Sequence, residues 1–336
     1  VDNSNAIVIF KPTQDATYKV TLPAGRVADP VGNLNNPSTS VDNQRTYDTT
    51  PPTITISAPT KSKKDNITDT TITITDTFGI DVNKIEIDTS TTATTQDFVC
   101  TLENDNTVNC TVTITESGNL VIKSTDKAGN STTKNEDDYI IDRIAPVVTI
   151  TSTTPINNTN QTHYTLTGTC TAGDGDITIT IGTQTYSTTC QADKTWSTNI
   201  DLSALEDGTI SVQASQTDAV GNKGNDSKDI FKDTISPTVT VNQADDQIDP
   251  SNEDIIKFTI VFSKTINGNT FTRDDLLISG SSTAKVLLLT KINDTTYTAF
   301  VNGILSGETV SLTLPADKVQ DLAGNKNSIS TSTDNS

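Results

Sequence analysis

The sequence has no methionine, one histidine (His163) and one tryptophan (Trp196), and only 4% of its residues are aromatic. With a single imidazole and no Ser or Cys in a recognisable nucleophile context, a catalytic triad is not expected. The shortage of rings argues against a sugar-lined cleft, and Trp196, on an alternating stretch, reads as core packing. No CxxC spacing or His cluster suggests zinc, and the Asp-x-Asp-x-Asp-Gly calcium loop is missing. Neither a secretory signal nor an apolar run long enough to cross a membrane is present. Sustained apolar spacing of three and four residues is lacking too, and Asp201–Glu206 could make one helical turn at most.

Apolar residues make up 32% of the 336-residue chain, low for a globular protein, while Thr, Ser, Asn and Asp abound. Disorder is the competing reading of such a composition. The pattern rejects it. Alternation recurs at residues 53–57, 71–75, 257–262 and 309–314, with apolar side chains on one face and mostly Thr on the other. Such segments are half-buried antiparallel strands, so the expected fold class is all-β.

The net charge is −19, with a pI near 4.2. That field repels nucleic acid and anionic membrane surfaces, and a cation is its natural partner.

One phrase occurs four times: Asp29-Pro-Val-Gly-Asn33, Asp126-Lys-Ala-Gly-Asn130, Asp218-Ala-Val-Gly-Asn222 and Asp321-Leu-Ala-Gly-Asn325. Successive copies lie 97, 92 and 103 residues apart, too long for a solenoid repeat and suited to tandem β-sandwiches. After each of the first three copies comes an Asp four residues ahead of a Pro, at Asp48, Asp142 and Asp233, which reads as a linker. A further match relates residues 1–44 to 293–336: Thr21-Leu-Pro-Ala24 returns as Thr313-Leu-Pro-Ala316, and Ser38-Thr-Ser40 as Ser330-Thr-Ser332, each 292 residues later. The expected organisation is part of one module, two dissimilar modules and a full module of the first type, cut from a longer repetitive protein.

Cys100 and Cys110 flank two short strands about an Asn/Asp turn, a spacing that sets their side chains opposite each other. Cys170 and Cys190 bracket a longer hairpin. Two pairs, each local to one module, argue for disulfides and an oxidising compartment. Each would add roughly 3 kcal/mol by loop-closure entropy, useful where the core is thin.

The Asp-x-Ala/Val-Gly-Asn turn, the linker Tyr47-Asp-Thr-Thr-Pro-Pro52, the run Leu22-Pro-Ala-Gly-Arg-Val-Ala-Asp29 with its echo ending at Asp321, and Gly168-Thr-Cys170 resemble the bacterial immunoglobulin-like (Big) domains of giant surface adhesins and biofilm-associated proteins. The resemblance covers essentially the whole chain. It implies tandem immunoglobulin-like sandwiches in a linear array: residues 1–48 the C-terminal part of one module, then 49–143, 144–234, and 235–336 of the same type as 1–48. Such motifs mark a module type and are nearly silent about ligands.

The repeated phrase has a structural explanation: Gly supplies a positive φ, and Asp or Asn bonds its own backbone in the turn joining the last two strands. A metal is the functional addition. The linker Asp follows the turn Asp by 19, 16 and 15 residues, about two strand lengths, so it exits at the other end of its module and can meet the next module's turn Asp. Calcium takes six to eight oxygens, and two or three Asp plus carbonyls would suffice. In related adhesins such junction calcium stiffens the rod, so the resemblance implies calcium at Asp29, Asp48, Asp126, Asp142, Asp218, Asp233 and Asp321. The crowded acids Asp245, Asp246, Asp249, Glu253 and Asp254, and the pair Asp274-Asp275, lack the aromatic platforms a glycosidase cleft would carry.

The expected function is non-enzymatic: an extracellular stalk segment on a bacterial surface, or a filament shaft, whose partners are neighbouring modules of the same polypeptide, with lateral or end-to-end self-assembly open. Nucleic acid and membrane insertion are not expected of this segment. Two alternatives differ in kind: a glycan- or protein-binding adhesin module, which should expose aromatic or Arg side chains on its end loops, and a subunit that donates strands to another chain.

Overall fold

A computed structural model describes residues 5–87, 95–334 and 336. The chain divides into two compact units, Val1–Ile144 with Val220–Asn222, and Ala145–Ala219 with Lys223–Ser336. Almost every element is a strand. Three single 3-10 turns, Gln161–His163, Gly268–Thr270 and Arg273–Asp275, are the helical elements among the described residues.

In the first unit, the alternation at residues 53–57 and 67–75 becomes a four-stranded antiparallel sheet in the order Thr53–Ser57, Ile67–Thr75, Thr107–Ile114, Thr95–Asn104. Facing it are Ser62–Lys63, Ser131–Ile141, Gly118–Asp126 and Ile80–Ile87, in that order. Lettered A to G along the chain, this is A-B-E-D against A′-G-F-C, the immunoglobulin-like arrangement. The Thr residues of Thr71-Ile-Thr-Ile-Thr75 point away from a core of Ile67, Ile72, Ile74, Ile114, Leu120, Ile122 and Tyr139. Alternation over one buried face fixes the register, because a slip of one residue would turn every Ile to water.

Residues 5–47 precede this sandwich and contribute a two-stranded sheet, Ala16–Lys19 with Gln44–Tyr47. Val20, Leu22 and Val27 are 43–53% exposed, whereas Leu312, Leu314 and Val319, their counterparts 292 residues later, are fully buried. In the later copy, strands from residues 239–301 supply the covering side chains.

The second unit holds two sandwiches. One pairs Thr149–Ile150, Tyr164–Thr169 and Thr195–Ile200 against a sheet ordered Gln184–Thr188, Ile177–Ile181, Gly208–Thr217, Lys223–Lys232. Trp196 fills its centre at 1% exposure, and its indole N–H donates to the carbonyls of Thr149 (3.1 Å) and Thr169 (3.0 Å). Gly168 lies across the ladder from Trp196, where a Cβ would stand 1.8 Å from the Thr149 oxygen and 2.4 Å from the indole. The other sandwich orders Val239–Gln243, Ile255–Phe262, Thr296–Asn302, Lys285–Lys291 in one sheet, with Leu277–Ser279 and Ser311–Thr313 paired in the second. Phe262, Phe271 and Tyr297 meet edge-to-face in its core.

Both disulfides are formed, Cys100–Cys110 across directly paired strand positions and Cys170–Cys190 around the hairpin at 177–188.

Candidate functional site

The repeated phrase builds the same turn wherever it is seen. In Asp29–Asn33, Asp126–Asn130 and Asp321–Asn325, one carboxylate oxygen of the Asp accepts the backbone N–H of the closing Asn at 2.8 Å, and the other accepts that Asn's side-chain amide at 2.8–3.0 Å. The glycine before the Asn has φ of 92–102° in these copies, a left-handed conformation that explains the residue type. The turn therefore joins the last two strands, as at Gly118–Asp126 and Ser131–Ile141.

The second amide hydrogen of the Asn has a different destination. Asn130 Nδ2 donates to the backbone carbonyl of the linker residue Asp48 (3.2 Å), Asn222 Nδ2 to that of Asp142 (2.8 Å), and Asn325 Nδ2 to that of Asp233 (2.7 Å). The closing Asn fastens its turn to the preceding linker, a role beyond the local turn chemistry its spacing suggests. At the last of these junctions the loop of the preceding sandwich joins in: Asn158 N–H donates to Asn325 Oδ1 (2.9 Å), and Asn157 Nδ2 to the Ala323 carbonyl (2.9 Å).

At two junctions the side chains of linker Asp and turn Asp also approach a common point. In the first unit Asp48 and Asp126 meet a third acid, Asp76, and one oxygen from each lies within 4.8 Å of the others. Asp76 follows the strand Ile67–Thr75 and belongs to neither the linker nor the turn phrase. It is mostly buried, and its Oδ1 accepts the N–H groups of Phe78 (2.8 Å) and Gly79 (3.0 Å). Asp126 is fully buried. Asp48 uses Oδ1 to accept the Thr50 N–H (3.1 Å), while its Oδ2 is buried with no hydrogen-bond partner. Burial, ahead of the like charges of Asp76 and Asp126, pushes the Asp48 carboxyl above its ordinary pKa. Nearby Asp15 is held low by the side-chain hydroxyls of Thr50 and Thr49.

These donors fit a hard divalent cation. Calcium–oxygen distances of about 2.3–2.6 Å allow two ligands of one ion to stand up to about 5 Å apart, and the three acids meet that limit. Among the described residues this is the one set of three acids that does.

The pair Asp233 and Asp321 is different. Lys264 stands between them, its Nζ 2.7 and 2.6 Å from the two oxygens of Asp233, 3.3 Å from Asp321 Oδ2 and 2.7 Å from the Ile235 carbonyl. Two carboxylates already carrying an ammonium do not fit a metal ion.

The other candidate acids have ordinary partners. Asp29 is exposed and held below its usual pKa by bonds from Asn33. Asp142 Oδ1 accepts the Ile144 N–H (2.9 Å). Asp218 stands just ahead of the turn at residues 219–220. Asp246 pairs with Lys257 (2.6 Å), and Asp275 closes a capping box with Thr272.

No protein-family model matches the sequence, and comparison with curated proteins gives no match. Among solved structures, the chain is similar to one bearing on host cell surface retention of a 1.5-MDa bacterial ice-binding adhesin, at 19% identity and a TM-score of 0.40, covering 86% of this chain and 100% of that one. A tetra-tandem repeat from the extending region of a large adhesion protein is 19% identical, with a TM-score of 0.29 over 93% of this chain and 80% of that one. Invasin, a bacterial integrin-binding protein, is 15% identical, with a TM-score of 0.34 over 84% of this chain and 60% of its own.

Proposed function

We propose that this chain is a length of extracellular stalk on a bacterial surface, a series of immunoglobulin-like modules whose task is to hold position and bear load. The observation that carries the reading is the bonding of the Asp-x-x-Gly-Asn turn to the linker ahead of it, through the Asn amide, at Asp48, Asp142 and Asp233. A recurrent bond of this kind restricts the linker, and restricted linkers convert module number into reach. The two disulfides suit an oxidising exterior, where thin cores gain from covalent closure. No helix of the described residues is long and apolar enough to cross a membrane.

Calcium belongs to the same proposal at one place. Asp48, Asp76 and Asp126 would hold it, with carboxylate oxygens from the linker, the second strand's end and the turn. Bound there, the ion would neutralise three converging acids and bind linker to module. The unpartnered Asp48 oxygen supports this, since a buried carboxylate oxygen without a donor is costly unless something positive meets it.

Small-angle scattering tests the stalk. A chain of 336 residues packed as one globule would have a radius of gyration of about 20 Å. The stalk requires a value well above that in calcium, and a value near 20 Å would overturn the proposal.

A further inference from the structure

Asp76 and Lys264 occupy the same place in two modules. In one, Thr53 pairs with Thr75 at the end of the ladder and Asp76 follows. In the other, Thr238 and Ser263 exchange bonds at the same point, Ser263 N–H to the Thr238 carbonyl (2.9 Å) and Thr238 N–H to Ser263 Oγ (3.0 Å), and Lys264 follows. The surroundings also correspond. Asp48 and Asp233 are the linker acids, Asp126 and Asp321 the turn acids, and Asn130 and Asn325 the residues that tie turn to linker. Against these shared acids and amides, the residue after the second strand changes from carboxylate to ammonium.

The charge balance explains the exchange. Asp48, Asp76 and Asp126 bring three negative charges, and one divalent cation would leave a net −1. Asp233, Asp321 and Lys264 bring two negative charges and one positive, which is also −1. The comparison rests on the reading of Asp48, Asp76 and Asp126 as a cation site, whereas the Lys264 geometry stands without it.

We infer that Lys264 is a built-in cation that takes the place of a metal ion at its junction, making the joint between residues 144–234 and 235–336 indifferent to divalent cations. An ammonium has three hydrogens, and here they have short partners in Asp233 and the Ile235 carbonyl, with Asp321 completing the cage. The group is enclosed: side-chain exposure is 25% for Lys264, 19% for Asp233 and 2% for Asp321. Burial works against its charged form, yet the bonds from Asp233 and then Asp321 outweigh it, and the Lys264 pKa is raised. A calcium ion arriving here would have to expel the ammonium from both acids.

Module 144–234 shows a third choice. Val147 N–H donates to Thr171 Oγ1 (2.8 Å) at the matching point of its ladder, and the next residue is Ala172, which brings no charge. One position after the second strand thus sets the character of each joint: acid, neutral or base. A stalk built this way would loosen at selected joints when calcium falls and keep others closed.

The test uses the full chain and calcium chloride alone as probe. Calorimetric titration counts sites on the wild type, Asp76→Asn and Lys264→Asp. Lys264→Asp recreates the three-acid arrangement and is expected to bind one calcium more than the wild type, whatever the wild-type number. An unchanged count in folded Lys264→Asp overturns the inference. Absence of calcium from both the wild type and Asp76→Asn, with one ion gained in Lys264→Asp, would instead remove the proposed site at Asp48 and leave this inference standing. Should Lys264→Asp not fold, Lys264→Met keeps the stem without the charge. The amides of Thr234 and Ile235 should then exchange roughly tenfold faster than in the wild type, in calcium and in EDTA alike. Exchange at the wild-type rate would overturn the inference equally.

Discussion

Replacing Asn325 by Ala should weaken the last module far more than the same change at Asn33, although both residues close the same phrase. Asn325 is fully buried and makes three bonds: its amide donates to the Asp233 carbonyl (2.7 Å) and Asp321 Oδ2 (3.0 Å), and its Oδ1 accepts the Asn158 N–H (2.9 Å). At about 1 kcal/mol for each net bond, the loss is about 3 kcal/mol, with Lys264 partly compensating Asp321. Asn33 is exposed and water replaces its bonds, so its loss should stay under about 0.5 kcal/mol. Melting of a multi-module chain is not two-state, so the assay is hydrogen exchange at Phe258 and Ile260 in the strand Ile255–Phe262. Asn325→Ala should speed exchange there by about a hundredfold, from 1.4 kcal/mol per factor of ten. A change below about threefold would refute the view that this Asn holds its turn and linker together.

Three further outcomes follow from the same geometry. Gly168→Ala places a methyl against the Thr149 carbonyl and the Trp196 ring, and should cost about 3 kcal/mol or more, read from Trp196 fluorescence in urea; wild-type stability would contradict the packing. Lys232 is buried with its ammonium on the carbonyls of Leu202, Ser203 and Leu205, so Lys232→Met should lower the melting of the same module while the conservative Lys232→Arg costs differently through its planar head; an unaffected Met variant would contradict those bonds. The third concerns pH without calcium. Because Asp48 has a raised folded pKa, the native state holds its proton where the unfolded chain has lost it, so its contribution to stability falls as pH rises from about 3.8 through the raised value. Subtracting the Asp48→Asn curve removes the opposing contributions of Asp15 and Asp29, and a wild-type-minus-variant difference that increases as pH rises would contradict the assignment.

The strands are legible in the sequence because alternation of Ile with Thr has one structural solution, and Thr71-Ile-Thr-Ile-Thr75 shows it with Ile72 and Ile74 fully buried. Cysteine pairing is legible because both pairs are local in sequence. The meeting of Asp48 with Asp126 follows from counting strand lengths between linker and turn. Asp76 and Lys264 are not legible by that route, because neither belongs to a repeated phrase and each reaches its junction from the end of its module's second strand, away in sequence from both linker and turn. One signal is present: aligning the modules on the linker Pro and the second strand places an acid, an Ala and a Lys in one column. The closing Asn reads as a turn former, and its second amide hydrogen, which reaches the linker carbonyl, makes a tertiary contact that local turn chemistry does not reveal. Lys232 also escapes, since an alternating strand assigns its inward face to apolar residues and the carbonyl cage around this ammonium comes from residues 202–205.

The most direct measurement is the response of the two linkers to calcium. Hydrogen exchange of the intact chain should be measured in EDTA and in about 5 mM calcium, above the range typical of extracellular sites. The amides of Thr49 and Thr50, which donate to Asp15 and Asp48, should gain protection with calcium, whereas those of Thr234 and Ile235, beside the Lys264 cage, should not change. Equal response at both linkers, or none at Thr49 and Thr50, would contradict a metal-held joint at Asp48 beside a lysine-held joint at Asp233.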